Sequence, residues 1–437
     1  MNSMVGVLEQ FQREPMKIGQ WYVVAICIGI LALDGYDVLS IAFAAPGITA
    51  EWGLSKATLG IVLSLELVGM ALGSIIMGAL TDSHGRRPTM LVGLVMVTVG
   101  MIVAGLAPNV YILGAARVFT GIGIGGLLAS ATATSSDYCN DKNRSLAVTL
   151  VAGGFAFGVY LGATFLGPLL KQYDWRITFY LGAAASLLFL PLVYIFVPET
   201  ISYLERKRPA NALESIQKIM TRMGHPAPTE LPPIQADKAA PEGMPALFKH
   251  GLAAITIILI LAYVGNVGTY YYFVKWIPKV VSDFGFTASQ ATEVLGMISL
   301  GGVIGSIAMS IITRFIPIRP MMILCLVAAG AGVAFFPNAM DSLDSMKQVG
   351  FVTGVFIFAA ISGFFGLWAS TFPSSLLGSG SGLVLGIGRG GAVLGPMIPG
   401  FLFAAGLELQ TVAIIMAAGS LSGGVMLLFL KRKTAEQ

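Results

Sequence analysis

The sequence predicts an all-α membrane protein with twelve transmembrane helices arranged as two parallel six-helix repeats. Three observations lead to this fold class: an apolar composition, twelve apolar runs of spanning length, and a segment of the first half that recurs in the second. Apolar residues make up 56% of the 437 residues, charged residues only 11%, and the mean hydropathy is +0.82. Soluble domains carry about 25% charged residues, so this chain has too few polar side chains to cover a water-exposed surface.

A helix needs about 20 predominantly apolar residues to cross the hydrocarbon core of a bilayer. The runs that meet this requirement are 20–45, 57–80, 89–107, 111–136, 145–170, 175–197, 251–274, 290–312, 320–337, 349–372, 378–402 and 409–430. The single long break, 198–250, is charged and proline-rich and predicts a cytoplasmic linker with a short helix near 210–223. We therefore expect a six-helix bundle over 1–197 and another over 251–437.

The distribution of Lys and Arg predicts that both termini lie in the cytoplasm. Few of the 26 basic residues lie on the membrane face opposite the cytoplasm, and two arginines lie deep inside apolar runs. The residues on the opposite face are Lys56, Lys171, Arg176, Lys275, Lys279 and Lys347. Cytoplasmic segments of membrane proteins carry the excess of positive charge, so both termini are expected on that side, with an even number of helices. The expected location is the bacterial inner membrane. The net charge of +4 then reflects topology and does not indicate nucleic-acid binding.

One segment of the first half recurs in the second. Residues 73–90, GSIIMGALTDSHGRRPTM, align without gaps to residues 305–322, GSIAMSIITRFIPIRPMM. Both segments end the second helix of their half, and Arg87 and Arg319 occupy matched positions before a proline. Parallel repeats of this kind occur in one large class of transporters, with the substrate site between the halves near mid-membrane.

Five charged residues lie deep inside the apolar runs, away from the ends of the runs, where a charge is costly and needs a functional or structural reason. They are Asp34, Asp37, Glu66, Arg117 and Arg389. The cysteines and histidines form no metal-ligand cluster, and the loops hold no cofactor motif or nucleophile–base set. The sequence therefore predicts neither a cofactor nor a metal, and an enzyme or a non-transporting receptor is a weak alternative.

The first predicted helix carries two aspartates at mid-membrane. Asp34 and Asp37 lie three residues apart, which places them on one helical face. In a low dielectric, each carboxylate strengthens proton binding at the other, so at least one is expected to carry a proton. Arg117 in the fourth helix needs an anionic partner, and these aspartates are its best candidates. The alternative is that the arginine merely neutralises two buried acids. Tyr36, between them, is a candidate substrate contact.

Arg389 is the one deep charge predicted in the C-terminal half. Its guanidinium can clamp a carboxylate through two parallel hydrogen bonds, and no embedded acid of its own half is available to pair with it. We expect it to bind an anionic substrate, the alternative being a bond to Glu66 or to a helix end. Glu66 shares a face with Gly69 and Gly73, so it belongs either to a packed helix interface or to the functional site.

Aromatic residues cluster near the end of the seventh predicted helix. Tyr270 and Tyr271 stand in the run Tyr-Tyr-Tyr-Phe, with Trp276 close behind. These rings are candidates for stacking on an aromatic substrate. They are equally compatible with the belt of aromatic residues found at membrane–water interfaces.

Two charge clusters are expected at cytoplasmic turns. Asp82 ends the second helix and is followed by Arg86 and Arg87, while Asp137 and Arg144 flank a later turn. We expect them to act as gating latches whose bonds break when the halves move. Solvation of a charged surface is the alternative.

The motifs are similar to those of the major facilitator superfamily. The segment 78–87, GALTDSHGRR, resembles its loop 2–3 signature, and 117–123, RVFTGIG, resembles its fourth-helix signature. The first departs from the family at Ser83, where arginine is frequent. The run Asp34-Gly-Tyr-Asp37 resembles the DGxD motif of the aromatic acid:proton symporter family, and the segment 388–390, GRG, resembles the arginine motif of their eleventh helix.

This resemblance implies proton-coupled uptake of benzoate-like or hydroxybenzoate-like anions by alternating access. It assigns proton coupling to Asp34, Asp37 and Arg117, and substrate binding to Arg389. The expected partners are the aromatic carboxylate, protons and the lipid bilayer, with no obligate protein partner. Two alternatives stay open: an importer of a non-aromatic acid such as a ring-cleavage product, and an exporter of drugs or metabolites.

Overall fold

The computed structural model describes residues 11–231, 244–248, 252–373 and 376–430. Parts of the expected linker, including 232–243, lie outside these residues. Across the described ranges, twelve helices are long and apolar enough to cross a membrane, which makes the chain a multi-pass membrane protein. The expected all-helical membrane fold is confirmed.

Six long helices form the N-terminal half: α1 Ile18–Trp52, α2 Lys56–His84, α3 Arg86–Gly105, α4 Val110–Asp137, α5 Asp141–Leu169 and α6 Ile177–Phe196. Two short helices follow, α7 Ile201–Lys207 and α8 Ala212–Met223. The C-terminal half contains α9 Ala253–Asp283, α10 Ala288–Ile312, α11 Ile318–Phe335, α12 Leu343–Thr371, α13 Leu377–Ala404 and α14 Leu409–Leu428.

The helix bounds differ most from the sequence expectation in α9. The apolar run ends at residue 274, whereas the helix continues to Asp283 and carries Lys275 into the interior, with its side chain 0% exposed. The expectation that Lys275 lies on the membrane face opposite the cytoplasm was therefore wrong. A lysine ends an apolar run in a hydropathy scan, but the helix continues where other helices supply partners for the charge.

Glycines bring α2 and α4 into close contact. Gly69 and Gly73 of α2 lie against the main-chain oxygens of Val118 and Ile122 in α4, with no space for a methyl group. Small residues allow helix backbones to approach in this way within a membrane. The crossing places the α2 face that carries Glu66 directly against α4.

The C-terminal half repeats this arrangement. Gly301 and Gly305 of α10 lie against the main-chain oxygens of Phe351 and Val355 in α12. Gly305 is the residue aligned with Gly73 in the sequence repeat, so the repeat extends to the packing of the helices.

The two aligned arginines also make matched contacts. Arg87 donates from Nη2 to the carbonyl oxygen of Tyr194 at 2.7 Å, near the end of α6. Arg319 donates from Nη2 to the carbonyl oxygen of Leu428 at 2.6 Å, at the end of α14. Each arginine therefore binds the last long helix of its own half, which supports two copies of one six-helix plan.

The halves meet at the end of the bundle away from the linker, here called the distal end. Gly60 of α2 and Gly400 of α13 approach so closely that a methyl group on either would lie 3.0 Å from the other's Cα. Lys56 lies over the Phe403 ring, with Nζ 5.2 Å from the centroid. These contacts close the distal end.

The opposite end of the same interface, the linker end, is open. Gly378 and Gly382 of α13 share the helical face of Gly400, and no atom lies within 4 Å of a side chain built on either. Arg389 is about three turns from Gly400 along the chain, so it shares this face as well. The face of α13 that packs on α2 at the distal end therefore also carries Arg389. Towards the linker end, the same face borders open space.

Candidate substrate and proton site

Arg117 lies at the centre of a fully buried charge cluster. Its Nη1 donates to Asp37 Oδ1 at 3.0 Å, and its Nη2 donates to the main-chain oxygen of Asp37 at 2.8 Å. The guanidinium also pairs with the carboxylate of Glu66. All three side chains are 0% exposed. Arg117 thus contacts one of the two aspartates expected to pair with it, together with Glu66.

Lys275 is the fourth member of this cluster, and sequence reasoning missed it. Its Nζ donates to the main-chain oxygen of Val38 and lies 3.3 Å from Glu66 Oε2. Because Lys275 belongs to the C-terminal half and the other members to the N-terminal half, the cluster crosses between the halves. The available signal was the apolar sequence Trp-Ile-Pro immediately after the lysine.

Asp34 is buried but has no hydrogen-bond partner among the described residues, for either carboxylate oxygen. It lies one helical turn nearer the linker end than Asp37. It is close enough to interact electrostatically with Asp37 and Glu66 on one side and with Arg389 on the other. Asp34 therefore connects the buried cluster with the C-terminal half.

Arg389 is half-buried and makes no hydrogen bond or salt bridge to the part of the chain that the structure describes. The alternative partner considered from sequence, Glu66, is instead bound by Arg117 and Lys275. The neighbours of Arg389 within electrostatic range include Asp34 and the tyrosines at 263 and 271. A guanidinium on the open face of α13 thus has its donors free for an anion.

Aromatic rings of α9 lie near Arg389 and pack against rings of α12. Tyr270 is only 3% exposed, with its ring centroid 4.8 Å from that of Tyr271 and 5.1 Å from that of Phe358. Tyr263 stacks edge-on with Trp368 at 5.1 Å. The burial of Tyr270 inside the bundle does not fit an interfacial aromatic belt. Tyr263 and Tyr271 bring aromatic rings near Arg389. The Tyr270 hydroxyl has no partner among the described residues.

Tyr36 has a different position from the one expected of a substrate contact. Its hydroxyl donates to the main-chain oxygen of Thr178 in α6 at 2.6 Å. Its ring lies against Gly162 of α5 and Gly182 of α6. Because neighbouring residues of a helix point in different directions, Tyr36 packs inside the N-terminal half while Asp37 faces Arg117.

Asp137 forms an ion pair with a residue other than the expected one. Arg86 Nη1 lies 2.5 Å from Asp137 Oδ2, which also accepts from Ser202 at 2.6 Å. Arg144 pairs instead with Asp141, three residues away on its own helix, at 3.0 Å. The expected Asp137–Arg144 pair does not form in the structure.

The other latch residues bind the segment that directly follows the N-terminal half. Glu199 accepts from the main-chain nitrogens of Arg86 at 3.0 Å and Arg87 at 3.2 Å, and so caps the start of α3. Asp82 is 78% exposed and lies 3.7 Å from Arg206 of α7. Exposed pairs of this kind contribute little to stability, about 0–1 kcal/mol.

Two six-helix halves, with buried charges between them and closure at one end of their interface, define a membrane transporter rather than an enzyme. The sequence model of the Major Facilitator Superfamily matches residues 25–389, and the chain belongs to this superfamily. The fold agrees: a structure of the xylose transporter XylE from Escherichia coli, in a partially occluded inward-open conformation, superposes with a TM-score of 0.72 at 15% identity. The match covers 95% of this chain and 100% of that one.

Several proteins that are similar over most of this chain are named as transporters of aromatic acids, as the DGxD resemblance led us to expect. A gallate transporter of Pseudomonas putida is 27% identical over 98% of this chain and 95% of its own length. The 4-hydroxybenzoate transporter PcaK of Pseudomonas aeruginosa is 27% identical over 95% and 93%. The benzoate transport protein of Acinetobacter baylyi is 26% identical over 92% and 87%.

Proposed function

We propose that this protein is a proton-coupled symporter that imports aromatic carboxylates by alternating access. The observation that carries the proposal is Arg389, a guanidinium without a salt bridge among the described residues, on the open face of α13 and beside buried aromatic rings. The aromatic acids named for the relatives combine the two features this position fits, a carboxylate and an apolar ring.

Substrate binding follows from this geometry. The carboxylate accepts two hydrogen bonds from the fork of Arg389, and each hydrogen bond to a charged group is worth about 1.5–3 kcal/mol. The ring packs against Tyr263, Tyr271 and Trp368, where an aromatic pair adds about 0.5–1.5 kcal/mol beyond the area it buries. The free hydroxyl of Tyr270 is available to a ring substituent.

Proton coupling answers the energetic problem of importing an anion. An inside-negative potential opposes entry of one negative charge by about 2.3 kcal/mol per 100 mV. One accompanying proton cancels this opposition, and a second makes the potential favour uptake. Asp34 and Asp37 carry the protons, with Arg117 setting how tightly they bind.

Orientation follows from the positive-inside rule, which assigns the linker end and both termini to the cytoplasm. The structure is then closed to the outside and open to the inside. Residues 1–197 and 251–437 rock against each other about the substrate position, while 198–250 connects them without an obligate protein partner. In this proposal the bilayer is the bacterial inner membrane.

Uptake into proteoliposomes tests the proposal. With an alkaline interior, labelled benzoate or 4-hydroxybenzoate should accumulate, and collapsing the pH gradient should abolish accumulation. Accumulation of an aliphatic dicarboxylate in place of the aromatic acids would favour a ring-cleavage product as the substrate. Proton-driven efflux of the label would indicate an exporter.

A further inference from the structure

Lys275 joins the two halves of the protein through the buried charge cluster. It extends from α9 in the C-terminal half and contacts the main-chain oxygen of Val38 and the carboxylate of Glu66. The side chains of Lys275, Glu66, Asp37 and Arg117 are all 0% exposed. When all four are ionised, two negative and two positive charges balance without a bound proton.

This balance holds only while the distal end is closed. Asp37, Glu66 and Arg117 belong to one half, whereas Lys275 moves with the other. Separation of the halves at the distal end withdraws Lys275 and leaves the remaining three side chains with a net charge of −1. A buried charge without a partner is costly enough that it is neutralised, and a proton from the distal side is the simplest cation to do so.

We propose that Lys275 discharges the transported proton by taking its place in the cluster each time the distal end closes. In the distal-open state, one proton binds a carboxylate oxygen of Asp37 or Glu66. Closure inserts the ammonium group of Lys275, which gives the protonated cluster a net charge of +1. The proton then leaves that carboxyl oxygen and restores neutrality. The structure shows Lys275 in the inserted position that this step requires.

Asp34 is the acceptor on the linker side. Both of its oxygens lack a hydrogen-bond partner among the described residues, and it interacts electrostatically with Asp37, Glu66 and Arg389. A proton that leaves the cluster binds an oxygen of Asp34 and passes from there to water at the open linker end. The charged groups facing this path are Asp34 and Asp37 of α1, Glu66 of α2, Arg117 of α4, Lys275 of α9 and Arg389 of α13.

The inference rests on the proposed proton coupling, and two assays on the full chain in proteoliposomes separate them. Counterflow of labelled 4-hydroxybenzoate at equal pH measures exchange without net proton movement. Accumulation under a gradient of one pH unit, at zero membrane potential, measures coupling, and one proton per substrate gives about tenfold accumulation. Lys279→Gln is the matched control, because Lys279 lies one turn further along α9 and pairs with Asp283 of the same helix.

Lys275→Gln should keep counterflow, because a retained proton keeps the cluster neutral, but its accumulation ratio should fall to about one. Its counterflow should decrease as the pH rises and the retained proton is lost.

The double variant Glu66→Gln/Lys275→Gln leaves a neutral Asp37–Arg117 pair in both states. Its rate of substrate exchange should not depend on pH, and its accumulation ratio should be about one, which means no accumulation. Lys275→Arg should accumulate, as should the control.

A purely structural ion pair predicts different results. Removing only Lys275 would lower counterflow and accumulation together, and removing both Lys275 and Glu66 would restore wild-type accumulation. Either result would overturn the inference. If the glutamine variants fail to insert, Lys275→Arg still tests the inference. Counterflow without accumulation in Lys275→Arg would show that the buried cation does not discharge the proton. Wild-type protein that exchanges substrate but never accumulates it would instead contradict the proposed proton coupling.

Discussion

The two halves of the protein share a helical plan but use their buried charges differently. In the N-terminal half, Arg117 is paired with Asp37 and Glu66. In the C-terminal half, Arg389 has no salt bridge to a described residue and faces the open end. A guanidinium paired inside the protein can hold acids that exchange a proton, whereas an unpaired one can bind an anion from solution. We infer that proton handling and substrate binding are divided between the two copies of the repeat.

The largest effect is expected in the N-terminal half. Asp37→Asn removes a charge that Arg117 contacts at 3.0 Å in a fully buried site, and breaking such a pair costs about 3–5 kcal/mol. We expect pH-driven accumulation to be abolished and transport to fall by at least about 100-fold. Uptake and counterflow in proteoliposomes measure this loss. Glu293→Gln, in a partly exposed pair with Lys347, is the control. Wild-type accumulation by Asp37→Asn would remove Asp37 from the coupling mechanism.

A matched pair of glycine substitutions tests whether the two halves differ in their roles. Gly73→Ala and Gly305→Ala each place a methyl group against a main-chain oxygen, at aligned positions of the two halves. Overpacking of this kind costs about 1–3 kcal/mol, so both should lower the melting temperature by similar amounts. Only Gly73→Ala shifts the helix that carries Glu66, so only this variant should lower the accumulation ratio. Gly78→Ala, which has open space, is the control. Equal losses of coupling would argue against the division of roles.

A smaller effect is expected from Tyr270→Phe in the C-terminal half. The substitution removes a buried hydroxyl that has no hydrogen-bond partner among the described residues. If that hydroxyl meets a ring substituent, affinity for 4-hydroxybenzoate should fall by about 3–10-fold, which corresponds to one hydrogen bond. Affinity for benzoate should change little. Calorimetric titration of purified protein with both acids checks this, and equal losses for the two ligands would assign the hydroxyl to folding.

The smallest effect is expected at the linker end. Asp82 is largely exposed in a pair of 3.7 Å, so Asp82→Asn should change transport by less than about twofold. Asp137 is 2.5 Å from Arg86 and better buried, so Asp137→Asn should slow turnover more. Initial uptake rates normalised to the amount of inserted protein compare the two. A larger loss in Asp82→Asn would reverse this ranking of the latch residues.

The helices and several site residues were predictable because hydrophobic length and isolated charges are properties of the sequence. The pairing of Arg117 with Glu66 was not, because it depends on the glycine-mediated crossing of α2 and α4. Lys275 was assigned to the wrong environment for a related reason: its partners lie more than 200 positions away, on helices of the other half. Tyr36 shows the same limit, since its orientation between α5 and α6 is set by packing.

Arg389 binds the substrate carboxylate in the proposed mechanism, and the variant Arg389→Lys tests this role. Lysine keeps the positive charge but lacks the planar fork. The variant should therefore lose about 1–3 kcal/mol of binding free energy, the contribution of a charged hydrogen bond. Calorimetric titration of purified wild type and variant with 4-hydroxybenzoate and its amide separates binding of the carboxylate from binding of the rest of the ligand. The acid should bind the variant about 10–100-fold more weakly, while the amide, which binds wild type poorly, should lose little more. Equal losses for acid and amide would contradict the carboxylate clamp.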